Sequence, residues 1–140
     1  MQNAINNILP ALRENQHILV DRYHDASYAY QVASRGVSKS DYDSINERFL
    51  LAIPDLTLWL DMPVEVGLQR GKKRGELDRF EKEKVSFFEK VHEGYAFLHR
   101  TQSGRIKRIN AHQSSEAVLH DAIIIIQQAL ANKTTPEKGE

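Results

Sequence analysis

The chain has 140 residues, with 19 basic and 19 acidic side chains, 41% hydrophobic residues and no cysteine. A chain of this length fits one domain that buries roughly 68–70% of its unfolded surface. The balanced charge gives no sign of a nucleic-acid or membrane partner, and the lack of cysteine excludes disulfides and thiolate sites. We therefore expect a soluble cytoplasmic protein with one domain over residues 1–132 and a polar tail over residues 133–140.

Three short apolar segments predict buried β-strands. They are His17–Asp21, Leu56–Asp61 and Arg105–Asn110. Strands that alternate with helices are typical of an α/β protein with a parallel sheet covered on its faces. Ligands of such sheets bind beyond the carboxyl ends of the strands, where the sequence places Asp21, Arg22 and Asp61.

Apolar periodicity predicts helices between and after these strands. Helices are expected around Ile5–Leu12, over Ser38–Leu51 and Pro63–Arg74, and along a long segment with the buried face Val85, Phe88, Val91, Tyr95 and Leu98. Pro10 is expected to kink or restart the first helix, and Ser115 to cap the last one. The core face of the last helix is expected to comprise Val118, Leu119, Ala122, Ile126 and Leu130.

The end of the first predicted strand carries Asp21 and Arg22. Here a carboxylate could hold a hydrated magnesium ion, and a guanidinium could bind a phosphate through two hydrogen bonds. Alternatively, Asp21 caps the following helix and Arg22 pairs with a surface carboxylate. The dipeptide alone favours this second interpretation.

Ser27, Tyr30 and Gln31 follow at helical offsets of three and four residues. One helix face could therefore present a hydroxyl, an aromatic ring and an amide, and an amide both donates and accepts hydrogen bonds, as an imide base edge requires. A polar surface turn with Tyr30 half-buried is an equally good interpretation of these three residues alone.

A cationic segment runs from Arg70 to Arg79, with five basic and two acidic residues and with glycines at Gly71 and Gly75. Such a segment suits a mobile lid, and an arginine that reaches a transferring phosphoryl group contributes roughly 10³–10⁵ in rate. The alternative is a solvated helix terminus whose cations interact favourably with the helix dipole.

Taken together and in order, five segments resemble bacterial thymidylate kinases. They are Asp21-Arg22-Tyr23, Ser27–Gln31, Arg35-Gly36, Pro54–Asp61 and Arg74–Arg79. The resemblance extends from about Ile8 to about Leu130. It implies an α/β nucleoside-monophosphate-kinase fold of the P-loop class, with a three-layer parallel sheet and helices on both faces. It also implies transfer of the γ-phosphoryl group of MgATP to dTMP, giving dTDP, by a homodimer.

The same resemblance implies roles for individual residues. The catalytic residues would be Arg74, Arg70 and Asp21, with Arg74 at the transition state and Asp21 organising Mg²⁺ through water. The dTMP site would comprise Arg22 at the phosphate, Ser27 and Gln31 at the base edge, Tyr30 beside the sugar and base, and Tyr95. The lid, about residues 70–81, would also contain Lys72, Lys73, Asp78 and Arg79.

Two departures from the family pattern lead to further expectations. Val32-Ala33-Ser34 replaces a glycine-rich stretch, so we expect a stiffer loop. The family's first strand, phosphate loop and first helix would precede Met1, so we expect a truncated chain that is inactive or weak alone. The alternative is a catalytically dead nucleotide-binding or dimerisation module derived from the same fold.

The missing first strand also has a consequence for folding. In the family it lies between the strands that correspond to His17–Asp21 and Leu56–Asp61. Without it, backbone groups lose their ladder partners at roughly 1–3 kcal/mol for each buried unsatisfied group. We therefore expect the isolated chain to re-pair these strands, to pair an edge with another copy, or to be only marginally folded.

Overall fold

A computed structural model describes residues 7–49, 52–73 and 81–134 of the protein. Within these residues the chain forms six α-helices, two β-strands and a π-helix over Tyr28–Ala33, and residues 7 and 8 are π-helical as well. The elements are α1 (Leu9–Arg13), α2 (His24–Ser27), the π-helix (Tyr28–Ala33), α3 (Lys39–Phe49), β1 (Thr57–Asp61), α4 (Val64–Lys73), α5 (Glu81–Thr101), β2 (Ile106–Asn110) and α6 (Ser115–Thr134). The prediction of a mixed α/β fold is confirmed at this level.

The two strands form a parallel pair, as predicted. Their register runs from Thr57 opposite Ile106 to Asp61 opposite Asn110. Helix α5 covers one face of this pair, where Leu98 packs with Trp59 and Ile106 in the buried core. Ile109 is also buried, although it lies on the face of β2 opposite to Ile106, and α6 contacts this strand as well.

The predicted strand at His17–Asp21 is not formed. Residues 16–20 have no regular secondary structure, and Leu19 is 93% exposed. A short apolar segment becomes a strand only if a neighbour satisfies its backbone groups, and in the described part of the chain β1 pairs with β2 alone. The expected re-pairing is therefore not observed, while edge pairing between copies and marginal stability stay predictions.

We expect the exposed apolar residues around Leu19 to make the isolated chain prone to self-association or to unfolding. The chain should either associate as its concentration rises or unfold in a broad, low-temperature transition, because apolar side chains and an open sheet edge face water. Sedimentation velocity and thermal unfolding over a concentration series would measure this. Leu19→Lys should reduce any association. A monomer that unfolds cooperatively at high temperature at every concentration would contradict the prediction.

Two helix starts differ in detail from the sequence prediction. Ser114, rather than Ser115, caps α6, because its hydroxyl accepts a hydrogen bond from the Ala117 amide at 3.2 Å and its carbonyl accepts one from the Val118 amide at 3.0 Å. Pro10 lies in the first turn of α1, where its missing N–H removes no α-helical hydrogen bond. Helical residues 7 and 8 lead directly into α1, which begins at Leu9, so a restart of the helix at Pro10 is not observed.

The apolar face predicted for α5 agrees with the structure, whereas the face predicted for α6 agrees only in part. On α5, all five predicted residues are buried or partly buried. On α6, Leu119 is 61% exposed and Leu130 is also exposed, so their assignment to the core is wrong. The physical reason is that the contact of α6 with β2 does not cover these two side chains. Leu60 of β1 is likewise 54% exposed.

A buried ion pair fastens α2 to the amino ends of both strands. The Arg105 guanidinium donates one hydrogen bond to each carboxylate oxygen of Asp25, both at 2.7 Å, and the Thr57 hydroxyl donates a third at 2.7 Å. Burial opposes ionisation of Asp25, which is 4% exposed, but these hydrogen bonds and the neighbouring charges outweigh it and lower its pKa. The position of α2 therefore depends on an ionised Asp25.

Removal of the Arg105 guanidinium should strongly destabilise the fold. In Arg105→Ala the Asp25 carboxylate stays buried without its main partner, which typically costs about 3–5 kcal/mol. Urea unfolding would measure the loss. Lys39→Ala is the control, because its exposed pair with Asp43 should contribute little.

The same pair predicts an acid dependence of stability. Because the folded pKa of Asp25 lies below its usual 3.8, its contribution is complete above that pH and is lost as the pH falls through the folded value. The acid dependence should be weaker in Arg105→Ala. Equal unfolding free energies and equal acid dependence in the parent chain and Arg105→Ala would contradict this assignment.

Candidate functional site

Arg22 lies in an unusual backbone conformation just before α2. Its φ angle of 58° falls in the left-handed region, which a residue with a side chain enters at a cost of roughly 1–3 kcal/mol. Its guanidinium carbon lies 5.2 Å from the centre of the Tyr30 ring. Backbone strain of this kind is concentrated at functional sites, so the geometry favours a functional role for Arg22.

The alternative role considered for Asp21, capping of the next helix, is not observed. Tyr23 is the N-cap residue of α2, and no side chain donates or accepts the capping hydrogen bond. Asp21 is exposed. Its carboxylate is therefore not needed to satisfy the start of α2.

Ser27, Tyr30 and Gln31 span a change of helix type. The chain is α-helical up to Ser27 and π-helical from Tyr28 to Ala33, so the expected α-helical face does not continue across this junction. Ser27 is exposed, whereas Tyr30 and Gln31 are partly buried. The side-chain oxygen of Gln31 accepts a long hydrogen bond of 3.4 Å from Arg35.

Tyr95 lies on α5 close to this segment. Its ring stacks on Trp59 with 6.1 Å between ring centres, and burial raises its pKa to about 12. Tyr30 also raises this pKa, and Arg22 lowers it. The structure thus places the Arg22 guanidinium over the Tyr30 ring, and it carries Tyr95 on α5, which packs against the π-helix that contains Tyr30.

The predicted lid is described only at its beginning. Arg70 lies on α4, and its guanidinium donates a hydrogen bond of 3.1 Å to the carbonyl of Ala111, just past the carboxyl end of β2. The side chains of Lys72 and Lys73 lie outside the described part of the structure. The same holds for all atoms of Arg74, Asp78 and Arg79.

A second polar cluster surrounds Asp61, at the carboxyl end of β1. One carboxylate oxygen contacts the Nε2 atom of His92 at 2.7 Å, and the other accepts a hydrogen bond of 2.5 Å from the Arg108 side chain. Asp61 is only 4% exposed. Sequence reasoning placed Asp61 at the strand end but missed both partners, because they lie 31 and 47 residues further along the chain.

The described residues contain no cluster of three or more carboxylate or imidazole side chains that could enclose a metal ion. The exposed carboxylate of Asp21 offers hard oxygen atoms of the kind Mg²⁺ prefers. One carboxylate suits a magnesium ion that keeps most of its water ligands. Asp21 therefore fits contact with hydrated Mg²⁺, and not an all-protein cage.

Arg22, Tyr30 and Tyr95 indicate the kind of ligand that this part of the structure suits. Arg22 supplies a fixed positive charge, while Tyr30 and Tyr95 supply aromatic surface beside it. This combination suits an anionic ligand that also carries a planar ring. The fold and the site thus fit a nucleotide-binding α/β protein. No helix in the described ranges has the length and apolar character needed to cross a membrane.

Comparison with known proteins identifies the family. Residues 1–123 match the family model for thymidylate kinase, so the chain belongs to the thymidylate kinase family. A thymidylate kinase from Acinetobacter baylyi is 48% identical over 120 residues, which are 86% of this chain and 59% of that protein. One from Alkalilimnicola ehrlichii is 48% identical over 130 residues, 91% of this chain and 58% of that protein.

A solved structure of low sequence identity to this chain also supports the fold. The crystal structure of thymidylate kinase from Ehrlichia chaffeensis matches with a TM-score of 0.67 at 20% identity, over 90% of this chain and 59% of that one. The chain thus spans somewhat under three fifths of the length of the relatives that it matches.

Tyr95 should give the chain a measurable alkaline dependence of stability. Because its folded pKa of about 12 lies above the usual 10, its contribution is complete below pH 10 and is lost as the pH rises towards 12. Tyr95→Phe removes the titrating hydroxyl and should flatten this alkaline loss. Urea unfolding between neutral and alkaline pH measures it, and coincident curves for the two chains would refute the assignment.

Proposed function

We propose that the protein acts as a thymidylate kinase, which transfers the γ-phosphoryl group of MgATP to dTMP and forms dTDP and ADP. Family membership supports this proposal, and the observation that carries it is the Arg22 guanidinium over the Tyr30 ring, with Tyr95 on the helix packed against this segment. A strained arginine beside two aromatic rings suits a nucleoside monophosphate, which combines a phosphate with a planar base.

In this proposal the acceptor site recognises dTMP at three points. Arg22 binds the phosphate through its guanidinium, and Tyr30 and Tyr95 lie beside the sugar and base. Gln31 and Ser27 face the base edge, where an amide can both donate to and accept from an imide. The hydrogen bond from Arg35 to Gln31 is long, at 3.4 Å, so the amide can exchange it for a stronger bond to the base.

The proposed lid extends over residues 70–81 and neutralises charge on ATP. Arg70 and Arg74 are the proposed catalytic arginines, while Lys72, Lys73, Asp78 and Arg79 shape the lid. Asp21 is the proposed contact to Mg²⁺ through water, and the ion, when bound with ATP, neutralises charge on the phosphates. The bond from Arg70 to the Ala111 carbonyl places this guanidinium past the carboxyl end of β2, where ligands of parallel sheets bind.

We further propose that this region forms part of a three-layer parallel sheet with helices on both faces, in a cytoplasmic homodimer. The 140 residues contain no Gly-x-x-x-x-Gly-Lys-Ser/Thr motif, which cradles ATP phosphates in P-loop enzymes. This observation favours a second candidate function for the chain by itself, namely a catalytically dead nucleotide-binding or dimerisation module of the same fold.

Binding of dTMP to the chain should depend on Arg22. Loss of charge-assisted hydrogen bonds typically costs about 1.5–3 kcal/mol, so Arg22→Ala should weaken binding roughly 10- to 100-fold. Isothermal titration calorimetry with dTMP measures this. Arg48→Ala, on the exposed side of α3, is the matched control and should bind as the parent chain does. Equal affinity in Arg22→Ala and the parent would refute the phosphate role.

A coupled assay for ADP release with dTMP and MgATP separates the two candidate functions. The chain alone should show little or no turnover, because it lacks the phosphate-cradling motif. Addition of the amino-terminal part of a full-length relative as a separate polypeptide should raise turnover if this chain is the remainder of a kinase. Binding of dTMP without turnover under both conditions would favour the dead module.

A further inference from the structure

Helix α5 and the π-helix approach each other so closely at Gly94 that no side chain fits there. A Cβ atom built on Gly94 would lie 2.7 Å from the Cβ of Ala33, 3.0 Å from the Cα of Ala29 and 3.3 Å from its Cβ. Carbon atoms in proteins do not pack at 2.7 Å, so one helix would have to move. Ala29 is fully buried in this contact, which leaves it little room to adjust.

On the π-helix, this contact is made by Ala33, which lies in the segment that departs from the family pattern. Ala33 belongs to Val32-Ala33-Ser34, and its methyl group is the atom nearest to the missing Gly94 side chain. The Ser34 hydroxyl donates a hydrogen bond of 2.6 Å to the Tyr30 carbonyl, which holds the end of the π-helix in place. Gly94 and Ala33 therefore form a complementary pair across the two helices.

Each side of this contact is adjacent in sequence to a residue of the proposed dTMP site. Tyr95 follows Gly94 on α5, and Tyr30 follows Ala29 on the π-helix. Tyr30 affects the pKa of Tyr95, and Arg22 packs over the Tyr30 ring. Each of the two tyrosines is thus carried on one of the two helices that meet at Gly94.

We propose that Gly94 is a positioning residue for nucleoside-monophosphate recognition. Its missing side chain lets α5 approach Ala29 and Ala33, and this approach sets the gap between Tyr30 and Tyr95. The inference rests on the proposed function of these tyrosines. It goes beyond that function because Gly94 itself offers no atom to the ligand and acts only through the spacing of the helices.

The test compares Gly94→Ala with the double substitution Gly94→Ala/Ala33→Gly. Helix propensity alone favours alanine over glycine, so any loss in Gly94→Ala comes from the contact. Ala33→Gly removes the methyl group at 2.7 Å and should relieve the closest part of the clash, while the Ala29 contacts at 3.0 and 3.3 Å stay. Gly67→Ala is the matched control within a helix, because its Cβ would meet only Met62 at an ordinary 3.6 Å, and Gly104→Ala meets nothing within 4 Å.

The first readout is dTMP affinity by calorimetry, under conditions where circular dichroism shows every variant folded. A displacement of about 1 Å can cost up to about 100-fold in a positioned site, so we expect Gly94→Ala to weaken binding at least about tenfold. The double substitution should recover most of this loss, and the two control variants should bind as the parent chain does. Rescue by Ala33→Gly separates positioning from general destabilisation.

The second readout needs no ligand. Trp59 is the single tryptophan of the chain and stacks on Tyr95, so its fluorescence should change in Gly94→Ala and return towards that of the parent in the double variant. A double-mutant cycle on urea unfolding should show coupling between positions 33 and 94. If Gly94→Ala does not fold alone, recovery of folding by Ala33→Gly supports the contact, and failure to recover overturns it.

The outcomes distinguish this inference from the proposed function. If the parent chain does not bind dTMP, the proposed function fails, and with it any role of Gly94 in recognition. If the parent chain binds dTMP and Gly94→Ala binds equally well, the positioning role alone is overturned. Weaker binding in Gly94→Ala without recovery in the double variant would also overturn it, because the contact with Ala33 would then not be the cause.

Discussion

The packing of α5 against the two-stranded sheet is the interaction on which the rest of the described structure depends. Leu98 meets Trp59 and Ile106 in the core, and Tyr95 stacks on Trp59 from the same helix. One turn earlier on α5, Gly94 contacts the π-helix. One helix therefore joins the sheet to the segment that carries the acceptor residues, and loss of its packing would separate them.

The sequence predicts those helices and strands whose apolar pattern lies within the segment itself. The two formed strands and the buried face of α5 followed from apolar patterns that each segment carries by itself. His17–Asp21 has the same pattern but forms no strand, because a strand also needs a ladder partner, which lies outside its own sequence. The choice between Ser114 and Ser115 as helix cap failed for a smaller reason, since adjacent serines give the same signal.

For the candidate site, the sequence suggests which residues take part but not their geometry. Family resemblance selects Arg22, Tyr30 and Tyr95, and the structure places Arg22 over the Tyr30 ring and Tyr95 on the adjacent helix α5. No pattern in the sequence predicts the left-handed backbone of Arg22 or the change to a π-helix at Tyr28. Both depend on contacts with other elements, as does the narrow approach at Gly94, so tertiary packing decides them.

The bond between Asp25 and Arg105 has a consequence for the order of folding. Its two residues are 80 positions apart, so the loop that it closes contains more than half of the chain. During synthesis from the amino terminus, α2 emerges long before its partner and cannot take its final position until Arg105 has left the ribosome. The acceptor segment is thus made well before it can settle, which lengthens the time that its neighbouring apolar residues face the solvent.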